Sequence, residues 1–208
     1  CQALRVNLGK VKGESLPFHL TPVPWAEGGY YYEKEDQPGK HPLHEAGAYY
    51  IQEPSAMAPA PLLALQPGER VLDLCAAPGG KSTQLAACLK GKGLLVCNEI
   101  HPARARILSE NIERMGVKNA CVTNEAPETL SKLFPGYFDA ILVDAPCSGE
   151  GMFRKNEEAC AEWSPESVER CARRQDEILE QAAEMLRPGG RMVYSTCTFA
   201  PLENEGSV

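Results

Sequence analysis

From Pro67 onward, short apolar runs alternate with stretches that carry their apolar residues at helical spacing. VLDLC (71–75), GLLVCNE (93–99), NACVTN (119–124), FDAILVD (138–144) and RMVYSTC (191–197) predict strands. KSTQLAACLK (81–90) has the periodicity of a helix, and PARARILSENIERMG (102–116) that of an amphipathic helix closed by Gly116. WSPESVERCARRQDEILEQAAEMLRPGG predicts a long helix, with Ser164 as N-cap, Pro165 at the first helical position and glycines at the stop. Such alternation predicts an α/β fold: a doubly wound, mostly parallel sheet of Rossmann-like type. Sheets of this kind bind ligands beyond the carboxyl ends of their strands, near the switch in strand order. The ends of the first, second, fourth and fifth strands therefore converge on one site.

Residues 1–66 have a different texture. They are rich in Pro, Gly and Tyr, as in GGYYYEKEDQPGKHP, and show little periodicity. A small α+β N-terminal subdomain of short strands and loops is the expectation, with the main domain over 67–208. The lead-in YYIQEPSAMAPAPLLAL reads as a helix broken by its prolines. The chain opens on Cys1 and closes on PLENEGSV, which reads as a helix cut short. A fragment of a longer protein is expected, with the catalytic domain truncated at its C-terminus and the fifth strand left as an edge.

Two kinds of motif punctuate this pattern at strand ends. CAAPGGKST (75–83) joins the first strand to its helix, and its Pro and paired Gly permit a tight turn with room for a ligand. It is not a P-loop, because the first glycine of G-x-x-x-x-G-K is replaced by Cys75. The second strand ends at Glu99, about 20 positions beyond a Gly-rich turn, where a carboxylate can accept from both hydroxyls of a ribose. A structural turn and a solvated helix-capping Glu are the plain alternatives. The two features in register favour a nucleoside cofactor, without choosing between NAD and S-adenosyl-L-methionine.

The other motifs carry thiols. DAPC (144–147) and STC (195–197) each put a cysteine just past a strand end, among polar and turn-forming neighbours. Buried core thiols are the usual fate of an intracellular Cys. Here the flanks favour a paired catalytic use, with a thiolate activated by Lys81 or an electropositive loop. A redox pair is the less favoured reading, since no C-x-x-C occurs anywhere in the chain.

Composition narrows the partners. The nine cysteines and four histidines show no zinc-ligand spacing, so no metal and reduced thiols in a cytoplasmic protein are expected. No apolar run approaches the ~20 residues that span a bilayer. The net charge of −7 argues against a broad nucleic-acid surface, and residues 1–66, with 5 basic and 7 acidic residues, are not a basic arm. Any polyanion must meet a local patch, for which Arg154 and Lys155 are candidates, or a part of the protein outside this chain.

Taken together, LDLCAAPGGKST, VDAPCSGEGMFRK and PGGRMVYSTCTFAPLENE resemble the Sun-type RNA 5-methylcytosine methyltransferases, and most closely their bacterial small-subunit rRNA members. The likeness runs from about Leu4 to the end, with the motifs in the family's order. It implies S-adenosyl-L-methionine as cofactor, held by Cys75, Ala76, Ala77, Pro78, Gly79, Gly80 and Lys81. By the same resemblance Glu99 holds the ribose, and Asp144 lies beside the methionine part and the target base. In the family an acidic residue after the third strand meets the adenine; here TNEAP offers Asn124 or Glu125 instead. Cys197 is implied as the nucleophile and Cys147 as the thiol that assists product release. The resemblance thus implies RNA as the partner, with 16S rRNA first, and a monomeric enzyme is expected. Transfer RNA, or a catalytically silent ribosome-assembly factor on the same fold, are the rival functions.

Overall fold

The computed structural model describes residues 2–11, 15–153, 160 and 163–208. Two sheets form. Near the N-terminus β1 (Ala3–Val6), β2 (Thr21–Pro22), β3 (Gly29–Tyr31) and β4 (Tyr49–Ile51) make an antiparallel sheet in the order β2-β3-β1-β4. The lead-in is therefore not one broken helix. Its first residues join β1 as β4, and a 3-10 turn (Ser55–Met57) and a four-residue helix (Pro59–Leu62) follow. Pro54, Pro59 and Pro61 each remove a backbone donor, which keeps any helix here short.

The second sheet is parallel. It runs β7 (Ala120–Thr123), β6 (Leu94–Asn98), β5 (Arg70–Asp73), β8 (Phe138–Asp144), β9 (Leu186–Ser195). The chain builds outward from β5 to β7 and then returns to β8, so the strand order reverses between β5 and β8. Helices cover both faces, as the alternation of core residues along β8 requires. Ala140 and Leu142 pack with Leu108 and Ile112 of the helix Pro102–Met115, while Phe138, Ile141 and Val143 pack with Ile178, Ala182 and Met185 of the helix Pro165–Met185. The latter helix starts as its sequence predicts, with the Ser164 side chain accepting from the Ser167 amide and Pro165 in the first turn. A short helix, Pro127–Leu133, was not evident from the sequence; its seven residues bury only Leu130 and Ser131, too few to set a period.

Strand β9 begins earlier than expected. Pairing with β8 starts at Leu186, directly after the long helix, and Pro188–Gly190 form an irregularity between the pairs Phe138–Leu186 and Ala140–Arg191. The glycines thus mark a bulge within the strand rather than the helix stop. β9 pairs with β8 alone, so it forms an edge of the described sheet.

The two sheets are tied together through a buried cation. Arg5 of β1 is 2% exposed, and its guanidinium donates to Gly80 O (3.1 Å), Thr83 Oγ1 (2.5 Å) and Gln52 Oε1 (3.2 Å). Burial pulls its pKa down to about 10. Nearby, Asn7 donates to Met115 O (2.8 Å) and Lys10 to Arg114 O (2.8 Å). The N-terminal sheet thereby grips the first turn of the helix that follows β5 and the end of the helix that follows β6.

Candidate functional site

The turn after β5 is shaped by glycine. Gly79 has φ +111°, a conformation that L-residues rarely adopt, and a Cβ on Gly80 would come within 3.2 Å of the Tyr50 ring. These residues lead into the helix Gly80–Leu89, whose second residue is Lys81. A cavity of about 690 Å3 opens beyond the strand ends and is walled by Cys75, Ala77, Glu99, Asp144, Cys147 and Cys197 among others. A second hollow of about 370 Å3 adjoins it, bordered by Asp73, Lys81, Tyr50 and Asp144. Cys75, Ala77, Asp144 and Met152 border both.

Glu99 is buried at the end of β6. Its Oε1 accepts from the His101 amide (3.0 Å) and its Oε2 pairs with Arg104 (3.2 Å). Each carboxylate oxygen has a further lone pair, so the group can still accept hydroxyl donors from the cavity. Arg104 also donates to Ala77 O (2.9 Å), linking the β6 end to the turn after β5. The sequence reading missed Arg104. A signal existed, because a cation in the first turn of a helix opposes the helix dipole and calls for a local partner.

Asp144 ends β8 with both oxygens engaged. Oδ2 accepts from Lys81 Nζ and Oδ1 from Ser195 Oγ, each at 2.7 Å. Ser195 closes β9, opposite Asp144 in the ladder. Asp73, deeper in β5, accepts from Ser82 Oγ (2.7 Å) through Oδ2, while its buried Oδ1 has no partner among the described residues. Burial pushes its pKa up to about 7, with the nearby Asp144 charge adding to the effect. Cys75 is held at about 12 by burial and by the surrounding carboxylates, which makes it an inert thiol that shapes the wall.

The two remaining thiols meet. Cys147 Sγ lies 3.2 Å from Cys197 Sγ, and the Cys197 amide points at Cys147 Sγ (3.3 Å). Cys147 is half-buried and Cys197 exposed, so neither is a core cysteine. The hydrogen bond from the Cys147 thiol draws the pKa of Cys197 down to about 7, with Lys81 assisting against burial and the Asp144 charge. The same bond, together with burial, pushes Cys147 upward. Close backbone contact fixes this pair: the Gly151 amide donates to Cys197 O (2.7 Å), and a Cβ on Gly151 would lie 2.6 Å from that oxygen.

Of the residues singled out from sequence, Cys75, Ala77, Lys81, Glu99, Asp144, Cys147 and Cys197 border these two connected hollows. Ala76, Pro78 and Gly80 line the smaller one, and Gly79 sits at the cap of the following helix. Asn124 does not face the cavity; its amide donates to Glu99 O (2.6 Å) and Ile100 O (2.9 Å), and Ala126 and Pro127 form the wall there. Arg154 and Lys155 lie outside the described residues. Among the described residues no cluster of His, Cys, Asp or Glu is arranged to hold a metal ion, and no helix is long and apolar enough to cross a membrane.

A parallel sheet with its site at the switch point, a Gly-shaped turn after the first strand and an acid ending the second define a Rossmann-like fold built for a nucleoside cofactor. Two solved structures share it over 99% of this chain. A methyltransferase homolog protein from Pyrococcus horikoshii is 33% identical, with a TM-score of 0.86 and 67% of its length covered. NSun6 from Pyrococcus horikoshii, solved with SFG, is 23% identical, with a TM-score of 0.87 and 77% covered, and bears on the fold alone. Residues 60–208 match the family model described as 16S rRNA methyltransferase RsmB/F, and residues 1–54 that of the N-terminal domain of 16S rRNA methyltransferase RsmF. The chain belongs to the RsmB/F family of methyltransferases. Ribosomal RNA small subunit methyltransferase F of Vibrio vulnificus is 43% identical over 218 residues, and that of Escherichia fergusonii 43% identical over 192. The chain spans 46% and 40% of their lengths.

The residues present fit S-adenosyl-L-methionine, the cofactor of this fold. Glu99 offers acceptors for a ribose, and the unpartnered Asp73 Oδ1 with Asp144 beside the smaller hollow offers acceptors for an ammonium group.

Proposed function

We propose that the protein carrying this chain is an S-adenosyl-L-methionine-dependent RNA methyltransferase that forms 5-methylcytosine in 16S rRNA. The observation that carries this reading is the 3.2 Å pairing of Cys147 and Cys197 beside Asp144, next to a cavity fit for the cofactor. Methyltransferases acting on cytosine C5 face a carbon too weakly nucleophilic to take a methyl group unaided. A thiolate that adds to C6 pushes electron density onto C5 and divides one hard step into easier ones.

Cys197 is the nucleophile in this scheme, because its lowered pKa leaves a substantial thiolate fraction near neutrality. Its sulfur bonds to C6, and the ring π electrons move to C5 and N3. A proton passed from the Lys81 ammonium to Asp144, 2.7 Å away, lets the carboxyl group donate to N3 and stabilise the charge that gathers there. Bound S-adenosyl-L-methionine supplies an electrophilic methyl group for C5. A base then removes the C5 proton, the C5–H electron pair restores the ring double bond, and the C6–S bond breaks to return the Cys197 thiolate. Cys147, hydrogen-bonded to that sulfur, assists this release. The target cytosine must leave its stack to reach the site, at a cost of a few kcal/mol.

The enzyme is proposed to act as a cytoplasmic monomer without a metal. Residues 1–66 form its partial N-terminal RNA-binding subdomain, and residues 67–208 its methyltransferase domain. Arg154 and Lys155 are proposed to contact RNA phosphate. The net charge of −7 leaves the bulk of RNA affinity to be supplied elsewhere in the full protein. Mapping 5-methylcytosine in total RNA from cells with and without the gene tests the function. Loss of one 16S rRNA site is expected; loss confined to transfer RNA, or no loss at all, overturns it.

A further inference from the structure

Six residues beyond Cys197, Glu203 is fully buried with no Lys or Arg partner among the described residues. A buried carboxylate without a counter-charge is costly, so its partners matter. Its Oε2 accepts from the Ser148 amide (2.9 Å) and from Gln175 Nε2 (2.8 Å). Gln175, itself fully buried on the long helix, also donates to Pro146 O (2.9 Å). One carboxylate oxygen thus reaches the backbone on both sides of Cys147, directly at residue 148 and through Gln175 at residue 146. The backbone carbonyl of Glu203 is held in turn by Tyr194 Oη of β9 (2.7 Å). Glu203 therefore joins the segment that follows Cys197 to the turn that carries Cys147.

We propose that Glu203 is a positioning residue that holds the Pro146–Ser148 turn so that Cys147 Sγ stays in hydrogen-bond range of Cys197 Sγ. Its importance for turnover rests on the function proposed above, whereas its effect on the thiols does not. Among the described residues only Oε2 is used, and Oε1 has no partner. An amide oxygen can take the place of Oε2, so Glu203→Gln should keep the turn in place while Glu203→Ala should release it.

The test reads the thiols without RNA or cofactor. Alkylation of Cys197 by iodoacetamide is followed by peptide mass spectrometry across pH 6 to 9, with a thermal melt recorded for each variant. In the native protein the alkylation midpoint is expected near the Cys197 value of about 7. In Glu203→Ala it should climb toward that of a free thiol, slowing reaction at pH 7 by about tenfold or more. Glu203→Gln should stay within about twofold of native, since geometry rather than charge is what the turn needs. Gln175→Met, which removes the link to Pro146, answers the same question if Glu203→Ala does not fold, and is expected to slow Cys197 in the same direction. A folded Glu203→Ala or Gln175→Met with the native profile overturns the proposal, as does a Glu203→Gln as slow as Glu203→Ala.

Discussion

The two halves of the site are built differently. On the cofactor side, the turn after β5 and the end of β6 are packed into the protein: Arg5 reaches across from the N-terminal sheet to Gly80 O, Arg104 bridges Glu99 and Ala77 O, and Asp73 is wholly buried. On the thiol side, Cys147 and Cys197 stand on loops past the ends of β8 and β9, partly open to solvent and registered by a few hydrogen bonds. A fixed cofactor cradle needs rigidity alone. A nucleophile that must form and break a bond to a flipped base needs access, and loops on a rigid scaffold provide it. The difference implies that the two functions can be damaged separately.

The largest separation is expected from Gly151→Ala. Its Cβ would meet Cys197 O at 2.6 Å, so the backbone must shift and carry the thiol with it. Misplacement on this scale costs on the order of 100-fold in rate. Single-turnover methyl transfer should fall by about that much, while calorimetric affinity for S-adenosyl-L-methionine stays within about twofold. Equal losses in both would erase the distinction between the halves.

Glu99→Ala should do the reverse. Removing a charged acceptor for the ribose hydroxyls weakens cofactor binding by roughly 10- to 100-fold. Alkylation of Cys197 should be unaffected, because Glu99 is not among the groups that shift that thiol. A matching drop in thiol reactivity would join the two halves after all.

Asp73 sharpens the cofactor side through pH. Its folded-state pKa of about 7 stands above the ordinary 3.8, so it contributes stability that is present at low pH and lost as pH rises toward 7. The slope from this group is at most about 1.4 kcal/mol per pH unit. Chemical denaturation of the cofactor-free protein between pH 4 and 7 should show that decline, and Asp73→Asn should flatten it. A wild-type slope unchanged in Asp73→Asn removes Asp73 as the cause.

The smallest effect is expected at Ser148, whose hydroxyl meets Thr198 Oγ1 at 2.9 Å across the two thiol loops. Ser148→Ala leaves the Ser148 amide on Glu203 and the Gly151–Cys197 backbone contact in place. Turnover should fall only about threefold, in line with the loss of one neutral hydrogen bond. A loss as large as that of Gly151→Ala would make the hydroxyl pair, rather than the backbone, the fastener of the thiol loops.

The same contrast governs what could be read from sequence. Short apolar runs gave the parallel strands and period-3.6 patterns their helices, because the strands are covered on both faces and each helix buries one stripe. Strand-end motifs gave Glu99, Asp144, Cys147 and Cys197 a common location, since the fold brings those ends together. Long-range polar contacts left no local trace. Arg5 lies in an apolar strand 75 residues from Gly80, and Glu203 sits in PLENEGSV, which reads as a helix cut short. The start of β9 was hidden for another reason: Pro188 and the two glycines after it look like a helix stop, and the bulge they form is fixed only by pairing with β8.

The division of labour between the thiols is the central claim, and denaturing gels of enzyme–RNA mixtures test it most directly. Full-length Cys147→Ala and Cys197→Ala variants are incubated with 16S rRNA and S-adenosyl-L-methionine, then separated under conditions that preserve only covalent complexes. Cys147→Ala is expected to lose turnover yet accumulate a covalent RNA adduct, because addition proceeds while release is blocked. Cys197→Ala is expected to form none. An adduct that persists in Cys197→Ala and vanishes in Cys147→Ala would contradict the account and reverse the roles of the two thiols.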